Sequence, residues 1–199
     1  SQSEDQIIAS MNQARRNEHR NHQKKGLKIT KSTKPADMGI LIRFLKNNSS
    51  TKNFYVRDEK FFKTMAATLV KNGDAHLYIG KHGDIPVIAA LAYEDADTGY
   101  YTFVGRDYSF DQLNANGPIV SRMIIDAKKR GKKTFDLFGI TLSGKSNDPL
   151  SGFTRFKKTF GGEIVELAGT WEIPVKPLTF FLHRVAIRVR TFLTRLNLR

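Results

Sequence analysis

Between residues 135 and 169 the chain gathers several cations beside the end of an expected strand. Residues 135–140 (FDLFGI) form a short apolar run with one acid, Asp136, the pattern of a buried strand. The stretch 141–151 is rich in Ser, Gly, Asn, Asp and Pro and reads as a loop. Residues 152–160 then set Phe153, Phe156 and Phe160 at spacings of three and four, on one face of a short helix, with Arg155, Lys157 and Lys158 on the other faces. Gly161-Gly162 ends that helix, because glycine tolerates the left-handed cap. Ile164, Val165 and Leu167 predict a further strand. A lysine whose stem is wedged between rings can neutralise the charge that builds on a carbonyl oxygen during acyl transfer. On spacing alone, Lys157 and Lys158 read as the coat of a surface helix. Asp136 reads either as an orienting acid or as a structural acid at a strand end.

Other chemistries find little support. His19, His22, His76, His82 and His183 are scattered, and only His19 and His22 share a ligand-like spacing, with no further ligand cluster. There is no cysteine, no G-x-S-x-G elbow and no P-loop, which removes disulfides, thiolate metal sites and the usual hydrolase and nucleotide-triphosphate signatures. No metal and no cofactor is expected.

A length of 199 residues favours one main domain, and 40% hydrophobic content excludes a disordered chain. The net charge of +14 predicts attraction to polyanions such as RNA, an anionic membrane face or phosphorylated substrates. No apolar run approaches the roughly 20 residues of a membrane span, and no signal peptide is visible. The chain begins with Ser1 rather than Met, as a processed or cut chain would.

In order, the pattern predicts a helix over 3–25, opened by a Ser3/Gln6 capping box and closed by Gly26. Arg16 and Arg20 lie four apart on it and would clamp a phosphate. A strand over 27–31, helices over 34–48 and 58–72 and a loop containing Phe54 and Tyr55 follow. Strands over 75–81, 85–94 and 99–104 come next, with tight turns at 82–84 and 95–98. Tyr100 and Tyr101 point to opposite faces of the third of these, one into the core and one towards a groove. A helix over 111–131, whose regular part starts near Gly117 because Pro118 suits a first turn, leads to the 135–140 strand. Two prolines make a hinge of 172–177, and the last helix carries an apolar stripe of Leu178, Phe181, Leu182, Val185, Val189, Phe192, Leu193 and Leu196. Arg184, Arg188, Arg195 and Arg199 recur on a neighbouring face, with no acid after Lys176, so this helix either lies on an anionic membrane or packs on the domain.

This order resembles the acetyltransferase-like (GNAT) fold: α+β, a mixed but mostly antiparallel sheet flanked by helices, over residues 1–175, with a C-terminal basic amphipathic helix over 176–199. That fold normally holds the diphosphate of CoA on a glycine-rich loop before a helix N-terminus. The corresponding stretch here, GRDYSFDQLNANG, lacks the glycine spacing, which argues against CoA.

The closing segment resembles, more specifically, the FemABX peptidoglycan bridge-forming aminoacyltransferases. In that family a DF-x-GI strand leads to G-[LVI]-x-RFKK-x-FGGE and then E-x-x-G. Asp136, Gly139, Ile140, Gly152, Arg155, Phe156, Lys157, Phe160, Gly161, Gly162, Glu163, Glu166 and Gly169 stand in the corresponding places. Arg16, Arg20, Lys25 and Gly26 match the pattern that opens the family's second domain, whereas Gln13, Asn17 and Glu18 depart from it. The resemblance implies transfer of an amino acid from aminoacyl-tRNA to the stem peptide of a peptidoglycan precursor, in the cytoplasm and at the inner face of the membrane. It makes Lys157, with Phe156 beside it, the catalytic pair; Arg16, Arg20, Tyr101, Asp136, Arg155 and Lys158 are the candidate substrate-binding residues. It also implies that a first acetyltransferase-like domain, absent from this sequence, provides much of the muropeptide cleft. The remaining alternatives are a non-catalytic RNA- or membrane-binding module and a CoA-dependent N-acyltransferase.

Overall fold

Five strands form one mixed sheet in the order β1-β2-β3-β4-β5: β1 (Leu27–Ser32), β2 (Ala75–His82), β3 (Ile85–Glu94), β4 (Thr98–Arg106) and β5 (Thr134–Asp136). The first four pair antiparallel, and β5 runs parallel to β4 with Tyr100 opposite Asp136. The computed structural model describes residues 2–52, 55–141, 151–169 and 171–196. These form two compact units, divided between Gly162 and Glu163.

In the first unit, β2 and β3 are buried on both faces, as their runs of Ala, Ile, Leu and Val require. Tyr78, Ile88, Ala90 and Ala92 face a cluster with Ile119, Val120 and Met123 of α5 (Asn116–Lys129). Leu77, Ile79, Ala89 and Leu91 face the opposite cluster, with Leu41, Phe44 and Leu45 of α3 (Met38–Lys52) and Phe62 of α4 (Glu59–Met65). Helix α4 continues as a π-helical turn, Ala66–Val70. Gly105 lets α3 approach β4 closely: a Cβ there would meet Phe44 Cβ at 2.6 Å. Thr102 is an extra residue in β4, since Tyr101 pairs with Ala92 and Phe103 with Leu91, and its hydroxyl donates to the Leu91 carbonyl at 2.7 Å.

Several expected boundaries move. The segment expected as one helix over 3–25 is α1 (Glu4–Ser10), α2 (Gln13–Asn21) and a 3-10 turn, Gln23–Lys25. The capping box and the left-handed Gly26 are as expected. The break occurs because Met11 turns extended and buries its side chain, while the Asn12 side chain caps α2 by accepting from Arg15 N at 2.9 Å. The helix expected over 111–131 has its regular start at Asn116, beside the position near Gly117 that Pro118 pointed to, after a 3-10 turn over Tyr108–Leu113. The 135–140 strand shortens to β5. The strand expected at 164–167 does not form: Ile164, Val165 and Leu167 are exposed, and alternation without a pairing partner does not make a strand. Phe54, the segment 142–150, and the Arg195, Leu196 and Arg199 side chains lie outside what is described. In the second unit the final helix, α7 (Pro177–Leu196), does form, and Leu178, Phe181, Leu182, Phe192 and Leu193 of its stripe are exposed.

One buried ionic network pins α5 to the sheet. Glu94, whose side chain is only 4% exposed, accepts from Arg130 Nε at 2.9 and 3.0 Å and faces His76 Nε2 at 3.2 Å. Arg130 Nη2 also bonds Glu94, and both terminal guanidinium nitrogens approach the buried Tyr78 hydroxyl at 3.4 Å. Burial pushes the Glu94 pKa up, but the hydrogen bonds and charge of Arg130 outweigh it, leaving the carboxyl below its usual range. Burial, helped by Arg130, lowers the His76 pKa, so the fold favours neutral imidazole. Unfolded His76 takes its proton first as the pH falls below about 6.5. The Glu94 contribution is lost at lower pH still, as its folded carboxyl protonates. We expect stability, measured by urea unfolding, to decline on acidification, and His76→Gln to flatten the upper part of that decline. Arg130→Met, which leaves the buried Glu94 carboxylate only His76 at 3.2 Å and Lys132 at 3.8 Å, should cost about 1–3 kcal/mol at neutral pH.

Candidate active site

The aromatic-anchored helix is α6 (Ser151–Lys158), and backbone contacts dock it. Asn12 N, in the turn between α1 and α2, donates to the Thr159 carbonyl at 2.9 Å. Gly161 has φ +76°, and a Cβ there would run into the Ser10 carbonyl, so glycine is required both for the turn and for the approach of the chain. Thr154, 8% exposed, accepts from Thr141 N through its hydroxyl at 3.0 Å. Phe160 is buried in the core and meets Phe156 edge-on at 5.1 Å. Phe153, the third ring of the expected face, is 58% exposed.

Phe156 thus fixes the rotation of α6, and Lys157 turns towards the chain leaving β5. Its Nζ donates to the Gly139 carbonyl at 2.8 Å. The lysine is half-buried, and that burial lowers its pKa, opposed by the charge of Asp136. Asp136 is exposed, and its Oδ1 accepts from Phe138 N at 2.6 Å. The structure therefore brings Lys157, Phe156 and Asp136 together at the carboxyl end of β5, where open sheets tend to place reacting groups. A desolvated ammonium held at a strand end can meet an oxyanion with little reorganisation.

The other expected residues are placed as follows. Arg155 and Lys158 lie exposed on α6. Arg16 donates to the Ala9 and Met11 carbonyls and to Gln13 Oε1, sealing the C-terminal end of α1, and Arg20 is the exposed member of that pair. Tyr101 is 9% exposed within the core, where burial raises its pKa. Its neighbour Tyr100 is half-buried, and its hydroxyl donates to Asp95 Oδ2 at 2.7 Å.

Arg15 was not singled out by pattern. Its guanidinium lies 5.4 Å from the centre of the Phe156 ring and 2.5 Å from Glu18 Oε2. Glu18 and Arg15 together cover Gly117 in the first turn of α5, and burial raises the Glu18 pKa against the pull of Arg15. Nothing in a polar helix distinguishes Arg15 from Arg16; only the break at Met11 sets their directions. Two cavities open elsewhere, of about 360 Å³ beside Arg43, Asn47, Arg106 and Tyr108, and of about 480 Å³ beside Lys31, Lys71 and His76. Among the described residues, no cluster of side chains could hold a metal ion.

The sequence pattern of the FemAB family matches residues 70–188. The crystal structure of FemX is similar over 80% of this chain and 56% of its own, with a TM-score of 0.73 and 16% identity. This chain therefore spans little more than half of that one. A predicted acetyltransferase from Clostridium acetobutylicum, solved with acetyl-CoA, is similar over 74% of this chain and 95% of its own, with a TM-score of 0.55 and 12% identity. A possible acetyltransferase from Clostridium difficile 630 gives a TM-score of 0.57 at 9% identity over 74% of this chain and 97% of its own. The fold is therefore acetyltransferase-like. No curated protein matches the chain.

Lys157 should titrate below the ordinary lysine value, as read from the NMR shifts of its side chain. Asp136→Asn should lower that pKa further, because it removes the charge that favours the ammonium; an unchanged titration would separate the two groups.

Proposed function

Because this chain belongs to the FemAB family, we propose that it is the catalytic half of an aminoacyltransferase, moving an amino acid from aminoacyl-tRNA to the stem peptide of a peptidoglycan precursor. The observation that supports this most is Lys157 itself, desolvated, set by Phe156 and bonded to Gly139 O beside Asp136. The acceptor amine attacks the ester carbonyl, negative charge collects on the carbonyl oxygen, and the Lys157 ammonium moves from the Gly139 carbonyl to that oxygen. Collapse forms the amide and releases the ribose oxygen of the tRNA, which takes up the proton lost by the amine.

Arg155, Lys158 and Arg20 supply exposed cations for tRNA phosphates, within a chain of net charge +14. A first acetyltransferase-like domain, outside this sequence, would provide much of the muropeptide cleft; the chain spans 56% of FemX. Helix α7 carries exposed Leu178, Phe181 and Leu182 and no acid, which suits peripheral contact with an anionic membrane at its inner face. No helix among the described residues is long and apolar enough to cross one.

CoA is disfavoured by a specific contact. A diphosphate on the first turn of α5 would have to displace the paired Glu18 and Arg15 side chains, which already cover Gly117.

The test gives the full enzyme labelled aminoacyl-tRNA with a muropeptide precursor and, separately, acetyl-CoA. Transfer from tRNA and none from acetyl-CoA is expected, and Lys157→Ala should lower kcat about 100- to 1000-fold with folding intact. Turnover of acetyl-CoA alone, or an undiminished Lys157→Ala enzyme, would overturn the assignment. For α7, Arg188→Glu should weaken binding to phosphatidylserine vesicles several-fold and leave binding to neutral vesicles unchanged.

A further inference from the structure

Phe138 is placed at a cost that folding does not explain. Its φ is +63°, in the left-handed region that a bulky residue rarely enters, yet its side chain remains 50% exposed. Glycine would take this backbone without strain. Asp136 holds the turn by accepting from Phe138 N at 2.6 Å, so the ring's direction is enforced. The ring lies 5.9 Å from that of Tyr100, with the planes inclined by 51°. Tyr100 is itself fixed, through its hydroxyl on Asp95. The two rings form an open corner with aromatic surface facing solvent. The next residue, Gly139, carries the carbonyl that holds Lys157.

We propose that Phe138 and Tyr100 form a stacking site for a nucleobase; on the aminoacyl-tRNA reading above, this is the 3′-terminal base of the donor. Base faces stack on aromatic side chains, and cations take the attached phosphates. Arg155 and Lys158 stand exposed on the same short helix as Lys157. A base held at Phe138 would leave its ribose, and the ester it carries, towards the ammonium one residue away. Strain at an exposed ring beside the reacting group is then the cost of a preset binding surface rather than an accident of the turn.

Binding is read by NMR from the Phe138 and Tyr100 ring protons with AMP, with ribose 5-phosphate, with a cytidine-cytidine-adenosine trinucleotide and with CoA. AMP and the trinucleotide should shift both rings, and ribose 5-phosphate should not. Phe138→Gly should raise Tm, because it relieves the backbone, and at the same time weaken AMP binding on the order of tenfold. Phe138→Trp should retain AMP binding. Equal AMP affinity in the Phe138→Gly protein, or ring shifts with ribose 5-phosphate alone, would overturn the stacking site. Tighter binding of CoA than of the trinucleotide would overturn its assignment to RNA. None of these readings needs turnover. A chain that binds AMP through Phe138 but transfers nothing loses only the catalytic reading, and one that transfers without that dependence loses only the stacking site.

Discussion

The hydrogen bond from Asn12 N to the Thr159 carbonyl is a small contact on which the candidate site depends. It joins the α1–α2 turn to the end of α6, and it forms only because Met11, 1% exposed, is driven into the core and reverses the chain there. Burial of one methionine thus supplies the force, and the backbone bond converts it into a position. Gly161 permits the same approach from the other side, against Ser10. With α6 docked, Phe156 and Phe160 fix its rotation, and Lys157 has one direction left, towards the Gly139 carbonyl. The lysine's place is set by residues almost 150 positions away in the chain, none of them acting chemically.

The electrostatics follow from that packing. A chain of net charge +14 has cations to spare, so what distinguishes them is their surroundings. Arg16 seals a helix end, Arg15 is held by Glu18 and the Phe156 ring, and Arg130 neutralises the buried Glu94. Arg155 and Lys158 stay in water. Lys157 is the α6 cation that loses water while keeping a carboxylate, Asp136, within electrostatic reach. Its pKa is pulled both ways, a balance that keeps an ammonium available without leaving it strongly hydrated.

Most of the sheet was legible because strand alternation and tight turns are local. Central strands β2 and β3, the turn at residues 82–84 and the amphipathic α3 and α5 follow directly from residue types. Lys157 was singled out through the aromatic spacing and the family resemblance together; spacing alone left it a surface cation. What could not be read was non-local. The break at Met11 depends on a core assembled from distant strands, and it decides which of two adjacent arginines faces Phe156. The alternation at Ile164, Val165 and Leu167 is a good local strand signal, but pairing is a tertiary event and no strand forms there. Tyr100 and Tyr101 were rightly expected on opposite faces, yet only the assembled core shows which one is buried.

A fold shared with acetyltransferases need not keep their donor, and the reason is geometric. The sheet and α5 can keep their shape while the first turn of α5 is covered at Gly117 by the Glu18–Arg15 pair of α2, which on the proposed function stands where a diphosphate would meet the helix N-terminus. Covering it removes little from the rest of the fold, because Glu18 and Arg15 compensate each other's charge. The candidate site at the end of β5 is left intact, and on the proposed function its ammonium would be indifferent to which leaving group the acyl carbon carries. On the proposed function, donor choice and bond formation would be separable: one would lie with α2 and the start of α5, the other with α6 and the end of β5. A change of donor can then proceed by altering the first without disturbing the second.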